Sequence, residues 1–483
     1  MIDARQRRIG LLVAGCFFME IMDGTIVSTA APRLGAALGV PVTSIGLVIT
    51  AYFVTLAVFI PSSGWLAGRW GTRRIFLSAI VVFTAASFLC SLSSGLGELV
   101  AFRVLQGIGG AMMTPVGRLS VLARTEKSDL MRMISYIVWP ALLAPVIAPL
   151  AGGFITTYAS WRWLFLINVP LGVVAFVCAV RLIPPSVAAD APPPLDVGGV
   201  ALTGLGLGGL AYAVSLISAN ATPWAQVAEV GLPAALSLAL AIRHLLRTEH
   251  PLVDLRTLRI PTFRIAIGSG SLSMMAIASV PFMLPLLFEN VFGWSPVKSG
   301  ALVLFVFVGN VGIKPATTFI LNRWGFRTVL LAACVILAAS IACVALLVGS
   351  TPIAWIILLA VVSGVARSVG GTSYNTLYFA DVPEEQMPHA NSLAATVQQL
   401  AAGFGVAVGT LALRVGGIVD GQAGSGALRI RYSVAFLLLA LLPLGALPGI
   451  FGLHPDAGNA ARTPSAAARI DGDRNLPSAA KAE

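Results

Sequence analysis

The sequence predicts an all-α integral membrane protein of about fourteen helical spans, on three observations. Of its 483 residues, 57% are hydrophobic and only 11% are charged, less than half the roughly 25% of a soluble domain. The mean hydropathy is +0.90, so water cannot be the solvent for most of this surface. The apolar stretches run unbroken for about 20 residues, enough to cross a bilayer as a helix. They do not alternate with the period of two that a membrane β-barrel requires.

In chain order the spans are expected at 9–32, 42–63, 75–93, 98–122, 133–157, 163–183, 197–218, 223–243, 263–289, 297–321, 326–349, 352–379, 392–415 and 432–452. The start is basic (Arg5, Arg7, Arg8) like a signal peptide, but the apolar run behind it is too long, contains acids and lacks a clear cleavage site. It is therefore expected to stay as the first span. Residues 184–196, with Pro184, Pro185, Pro192, Pro193 and Pro194, read as a linker, and His244 to Phe263 as the longest polar loop. The end is rich in Ala, Gly, Pro and charge, a composition expected to be disordered. The expected division is a first six-helix bundle over 1–183, then a linker with two inserted spans and a loop over 184–262. A second six-helix bundle follows over 263–453, and a tail over 454–483.

The net charge of +11 does not point to nucleic acid, because the positive residues gather in short clusters between apolar runs. Arg5, Arg7 and Arg8, then Arg69, Arg73 and Arg74, then Arg124, Lys127 and Arg132 share one side. Arg243, Arg247, Arg256 and Arg259, with Arg323 and Arg327, join them. The opposite loops hold only scattered positives such as Arg33, Arg162, Lys298, Arg429 and Arg431. By the positive-inside rule both termini are expected in the cytoplasm.

Two classes of activity are disfavoured. None of the four lysines follows a glycine in a phosphate-loop pattern, so ATP-driven transport is not expected. The four histidines lie in or beside predicted loops and form no metal pair, and the five cysteines stand singly in apolar stretches as small packing residues. Neither a metal site nor an enzyme is expected. Charge instead gathers inside the spans. Glu20 and Asp23 lie near the middle of the first span, three residues apart and so on one helix face. An ionised acid there costs about 2.5–3.5 kcal/mol, so the pair is expected to hold at least one proton, as a proton-coupling site needs. The alternative is that one of them is a hydrogen-bonded packing group. Lys314 and Arg367 are equally costly in lipid and should face the interior as cavity or gating residues, unless they snorkel or pair structurally. Asn310, Asn375 and Gln398 are further candidates for lining a substrate cavity.

Several segments in order resemble the major facilitator superfamily, and within it the fourteen-span drug:proton antiporter branch. Met22 to Pro32 is similar to that branch's first-span signature, and Gly64 to Arg74 to motif A. Arg103 to Ala111 is similar to motif B, Pro149 to Gly153 to the end of the antiporter motif C, and Trp161 to Pro170 to a segment characteristic of the branch. An echo of motif A, Ile320 to Arg327, follows the tenth span and shares Arg-Trp-Gly with it.

The resemblance implies a major facilitator fold, two six-helix bundles with two inserted helices. It singles out Asp23, and it places Arg103 near the proton pathway, with a first-span carboxylate as its expected partner and Gln106 one turn on as a cavity candidate. It assigns gating to Gly64, Gly68, Arg69, Gly71, Arg73 and Arg74, although the positives there also set topology. The antiporter motif comprises Pro145, Pro149, Gly152 and Gly153, with Ala144 and Ala148 where glycine is usual. Two departures stand out. Gly68, echoed by Asn322, replaces the acid that latches helix ends, so either another acid such as Asp129 substitutes or the gate is looser. Glu289 replaces an expected glutamine, and either binds a cationic substrate or reaches the interface. The expected function is a proton-coupled exporter of small organic or amphiphilic compounds working by alternating access. An importer or a specific metabolite exporter of the same fold is the alternative, ahead of a non-transporting receptor. Its expected partners are the substrate, protons and the lipid bilayer, with no cofactor beyond the proton gradient and no nucleic acid. A monomer in the cell inner (plasma) membrane is the family default.

Overall fold

A backbone inside a bilayer must satisfy its own polar groups, and in long unbroken apolar runs only the helix does so within one segment. The computed structural model describes residues 4–122, 130–184, 194–217, 223–383, 386–420, 427–454 and 457. Its helices are α1 (Ala4–Thr29), α2 (Ala31–Leu38), α3 (Val42–Trp70), α4 (Thr72–Leu92), α5 (Leu96–Leu122), α6 (Leu130–Tyr158), α7 (Trp163–Leu166) and α8 (Asn168–Leu182). Then come α9 (Val197–Ile217), α10 (Trp224–Arg247), α11 (Pro261–Leu286), α12 (Pro296–Gly312) and α13 (Lys314–Trp324). The series closes with α14 (Phe326–Val344), α15 (Ile353–Ala380), α16 (Met387–Asp420), α17 (Ala427–Gly445) and α18 (Leu447–Phe451). No strand occurs among the described residues.

Among these residues 12 helices are long and apolar enough to cross a membrane, and α12 with α13, bent by 54°, make a further, broken span. The bend falls at Ile313, where Lys314-Pro315 opens α13, and a proline there breaks the helical hydrogen-bond ladder. The expected fifth span corresponds to α6, whose apolar part reaches only Leu143–Tyr158 within the described residues. The described residues alone thus give 12 spans and one broken span, with α6 at the place of the expected fifth. Arg124, Lys127, Asp129, Pro185, Pro192 and Pro193, and the tail from 458 on, lie outside the described residues, as do the side chains of Arg132 and Pro140. Cys343 departs from the packing role expected of all five cysteines: it is exposed on α14, while Cys16, Cys90 and Cys334 are buried.

The echo in the sequence is an echo in the backbone. Gly71 (φ 85°) and Gly325 (φ 76°) each join two helices in a conformation that L side chains avoid. Two residues beyond each glycine an arginine reaches the end of the last helix of its own group. Arg73 donates to Val180 O of α8 (2.8 Å) and Arg327 to Phe451 O of α18 (3.1 Å). Both meet the carbonyl end of a helix, where a cation is favoured.

Helices α1 to α8 pack mainly among themselves, through α1 on α6, α4 on α5 and α3 on α5. So do α11 to α18, through α12 on α15, α11 on α16 and α16 on α17. The two groups meet along α3–α16 and α6–α12. The close approaches there that glycines mark lie toward the face opposite the chain termini. A β-carbon on Gly153 would stand 2.4 Å from Pro296 O, one on Gly300 2.2 Å from Pro149 O, and one on Gly46 2.6 Å from Thr410 Cγ2. Thr50 Oγ1 also donates to Gly403 O across α3–α16 (3.0 Å).

Helices α9 and α10 pack tightly on each other, with Gly206 against Leu238 and Gly209 against Ala234, and α9 lies against both α3 and α16. Large apolar side chains of α10, such as Leu232 and Leu236, face outward as lipid-facing residues do. Asp196, just before α9, ties the pair to the loop after α10. It sits 2.6 Å from His244 Nε2 and accepts from Gly199 N (2.7 Å) and Leu252 N (3.0 Å). Burial works against its charge, but these bonds outweigh it and hold its carboxyl below the usual aspartate range.

Candidate functional site

Four helices, α1, α4, α5 and α8, carry the polar groups that meet inside the first half because glycines let them. On α5, a β-carbon at Gly107 would be 2.7 Å from Thr55 Cβ, and one at Gly109 2.6 Å from Phe83 N. The motif B glycines thus sink α5 against α3 and α4, which brings Arg103 into the bundle centre with none of its surface exposed. Asp23 of α1 is equally buried.

Arg103 Nη1 donates to Asp23 Oδ2 at 2.5 Å. The other carboxylate oxygen accepts from Gln106 Nε2 (3.0 Å) and Asn168 Nδ2 (2.8 Å). Arg103 Nη1 also donates to Gln106 Oε1 (2.7 Å), and Gln106 Nε2 donates to Ser87 Oγ (2.5 Å). The guanidinium lies 4.1 Å from the centre of the Tyr52 ring, a cation–π contact. The anion therefore has three donors, whereas Arg103 Nε and Nη2 have no partner among the described residues. Taking two charges out of water costs several kcal/mol per ion, and only good geometry with further hydrogen bonds offsets it.

Glu20 does not share the Asp23 network. It accepts a hydrogen bond from Thr114 Oγ1, and Arg118, stacked 4.6 Å above the Phe17 ring, acts on it electrostatically. Along α1 it stands three residues nearer the terminal face, a rise of about 4.5 Å. The two acids expected to work as one pair thus have separate partners.

The remaining candidates fall in different places. Gln106, expected to line a cavity, is fully buried in the Asp23 cluster instead. Arg367 (α15), Asn375 (α15) and Gln398 (α16) line one cavity of about 200 Å³ in the second half, with Tyr374 and Ser273. Lys314 is half-buried at the start of α13, donating to Thr372 Oγ1 (3.1 Å). Asn310, half-buried on α12, has its backbone against Gly364 of α15. Glu289 sits on the π-helical turn Leu287–Val291 that ends the ninth expected span, where Arg33 acts on it electrostatically.

In motif A, Gly64, Arg69 and Arg74 are exposed and a β-carbon at Gly68 would meet nothing, while Gly71 and Arg73 hold the helix junction described above. In motif C, Gly152 packs against Thr29 and Ile26 of α1 and Gly153 against α12. Ala144 and Ala148 are fully buried, so α6 packs tightly there in spite of the extra methyls, and Pro145 and Pro149 lie on the same helix. Asn168, Ser87, Tyr52, Thr114 and Arg118 were not picked out from the sequence. Arg118, a cation within an expected span, and Asn168, within the segment Trp161 to Pro170, carried a signal. The hydroxyls carried none.

Two repeated groups of helices that meet along α3–α16 and α6–α12, with a buried ion pair inside the first, define a multi-pass membrane protein with a charged centre. The chain belongs to the Major Facilitator Superfamily, whose sequence profile matches residues 13–406. It is similar to MdtD of Cronobacter sakazakii, a protein named for multidrug resistance, at 35% identity over 92% of this chain and 94% of that protein. MdtD of Salmonella typhimurium, named likewise, is 34% identical over 91% and 93%. Among solved structures the fold is shared with a D-xylose-proton symporter (TM-score 0.63, 14% identity, 92% and 99% covered). It is also shared with an auto-inhibited POT family peptide transporter (TM-score 0.66, 14% identity, 95% and 97% covered). At that identity the likeness concerns the fold alone. The chain is thus a multi-pass membrane protein of a transporter family.

Proposed function

We propose that this chain is a proton-coupled exporter of small organic compounds. It acts as a monomer in the cell inner membrane, with both termini in the cytoplasm. The observation that carries the proposal is the wholly buried Asp23–Arg103 pair. Protonating Asp23 discharges the pair and leaves Arg103 uncompensated. Breaking a buried pair in this way costs about 3–5 kcal/mol. Moving a two-state equilibrium from 1:99 to 99:1 needs about 5.5 kcal/mol, so one proton at this site supplies most of such a switch.

With cytoplasmic termini, contact at the far face corresponds to an inward-open state, and in it Asp23 is paired. Protons entering from outside load Asp23 once the pair has opened, and Glu20, nearer the cytoplasm, receives the proton on its way in. The names of the relatives support export of drug-like cargo, and the lysine and arginine bias supports the orientation.

The test is proton movement followed by fluorescence in everted vesicles on adding candidate compounds. Parent protein should release protons on substrate addition, and Asp23→Asn and Glu20→Gln should not. Normal coupling in both variants would refute the assignment of the site.

A further inference from the structure

We propose that the cavity around Arg367 in the second half binds the carboxylate of a small organic anion and so anchors the transported compound. As an anchor for cargo it rests on the exporter reading; as a binding site it does not.

Arg367 is only 4% exposed. One of its nitrogens, Nη2, donates to Ile277 O, and its Nε is buried with no partner. Arg103 in the first half has Asp23 as counter-ion, but the described residues lining the Arg367 cavity include no Asp or Glu. A buried guanidinium without a counter-ion is costly, and its planar fork of donors matches a carboxylate.

The surroundings complete such a site. The Tyr374 hydroxyl, 3.3 Å from Ser273 Oγ, faces the same space. At the exposed edge Gln398 Nε2 donates to Asn375 Oδ1 (2.7 Å), an amide pair able to reorient toward a ligand. Met274 and Leu337 supply apolar wall. On the same helix Thr372 holds Lys314, a second cation. At about 200 Å³ the cavity is smaller than the roughly 300–1,000 Å³ that enclose a whole drug-sized ligand. It therefore suits the anionic head of a substrate whose remainder extends past Asn375.

The experiment is binding to the purified full chain in neutral detergent, by calorimetry. The probes are acetate, phenylacetate and naphthylacetate, each against its neutral amide, with inorganic phosphate alongside. A charge-assisted hydrogen bond predicts at least one carboxylate binding about ten- to a hundredfold tighter than its amide. Arg367→Gln should abolish that preference and Arg367→Lys should retain part of it. If the glutamine variant does not fold, the comparison of acid with amide on the parent still decides. The proposal is overturned if acids and amides bind alike or not at all, if the preference survives Arg367→Gln, or if phosphate alone binds. Loss of proton coupling with the carboxylate preference intact would count against the exporter reading only.

Discussion

Gly153 gives the sharpest handle on the conformational cycle. A methyl group there would lie 2.4 Å from Pro296 O, 2.9 Å from Pro296 C and 3.2 Å from Val297 Cα. These are backbone atoms, so no side chain can swing aside, and α6 and α12 must move apart to admit the methyl. Overpacking of this kind costs about 1–3 kcal/mol, but only in the state where the two helices touch. A differential cost of that size shifts the equilibrium about 5- to 150-fold toward the state with this face open. The assay is the distance between spin labels at Ser160→Cys and Ser350→Cys, both exposed at that face, in a background with the five native cysteines replaced. Gly153→Ala should move the distribution to longer distances. An unchanged distribution with a lowered Tm would mean that both states suffer equally, and the α6–α12 contact would then not be what distinguishes them.

Three further outcomes follow from named contacts. Asp23→Asn and Arg103→Gln should each lower thermal stability by the equivalent of about 3–5 kcal/mol, and the double variant by clearly less than their sum, because each single change strands a buried group; additive losses in melting experiments would refute the coupling. Arg73→Gln and Arg327→Gln, which occupy matching places in the two halves, should each destabilise by about 0.5–2 kcal/mol, and limited proteolysis should detect loosening near α8 in one and near α18 in the other. The Asp196 carboxyl lies below its ordinary range, so its contribution is present above about pH 3.9 and is lost as pH falls through the lower folded value. Asp196→Asn should therefore melt earlier than the parent at pH 7, and a gap that persisted at pH 2 would contradict the ionic account.

The helices were legible because their signal is local. A run of about 20 apolar residues has few ways to exist in lipid, and Lys314-Pro315 breaks a helix wherever it occurs. The repeat was visible as Arg69-Trp70-Gly71 and Arg323-Trp324-Gly325, but a three-residue match does not say that both glycines take positive φ or that the arginines two residues beyond cap a helix. The charged residues were legible one by one, since each is expensive in a span. Their pairing was legible only in part: the resemblance gave Arg103 a first-span carboxylate as partner, but Glu20 and Asp23 are neighbours on one helix face, and α5 divides them between Thr114 and Arg103.

The sequence by itself thus determined the solvent, the helices, and which side chains are too costly to lie there without reason. Only the tertiary structure decided which of those charges have partners. It joined Asp23 to Arg103, Gln106 and Asn168 from two other helices, sent Gln106 into that cluster and away from any cavity, and left Arg367 without a counter-ion among the described residues. The physical reason is that hydropathy and helical period are properties of neighbours in sequence. The electrostatic balance of a buried charge is set by residues tens to more than a hundred positions away, brought within 3 Å by glycines that permit the helices to touch.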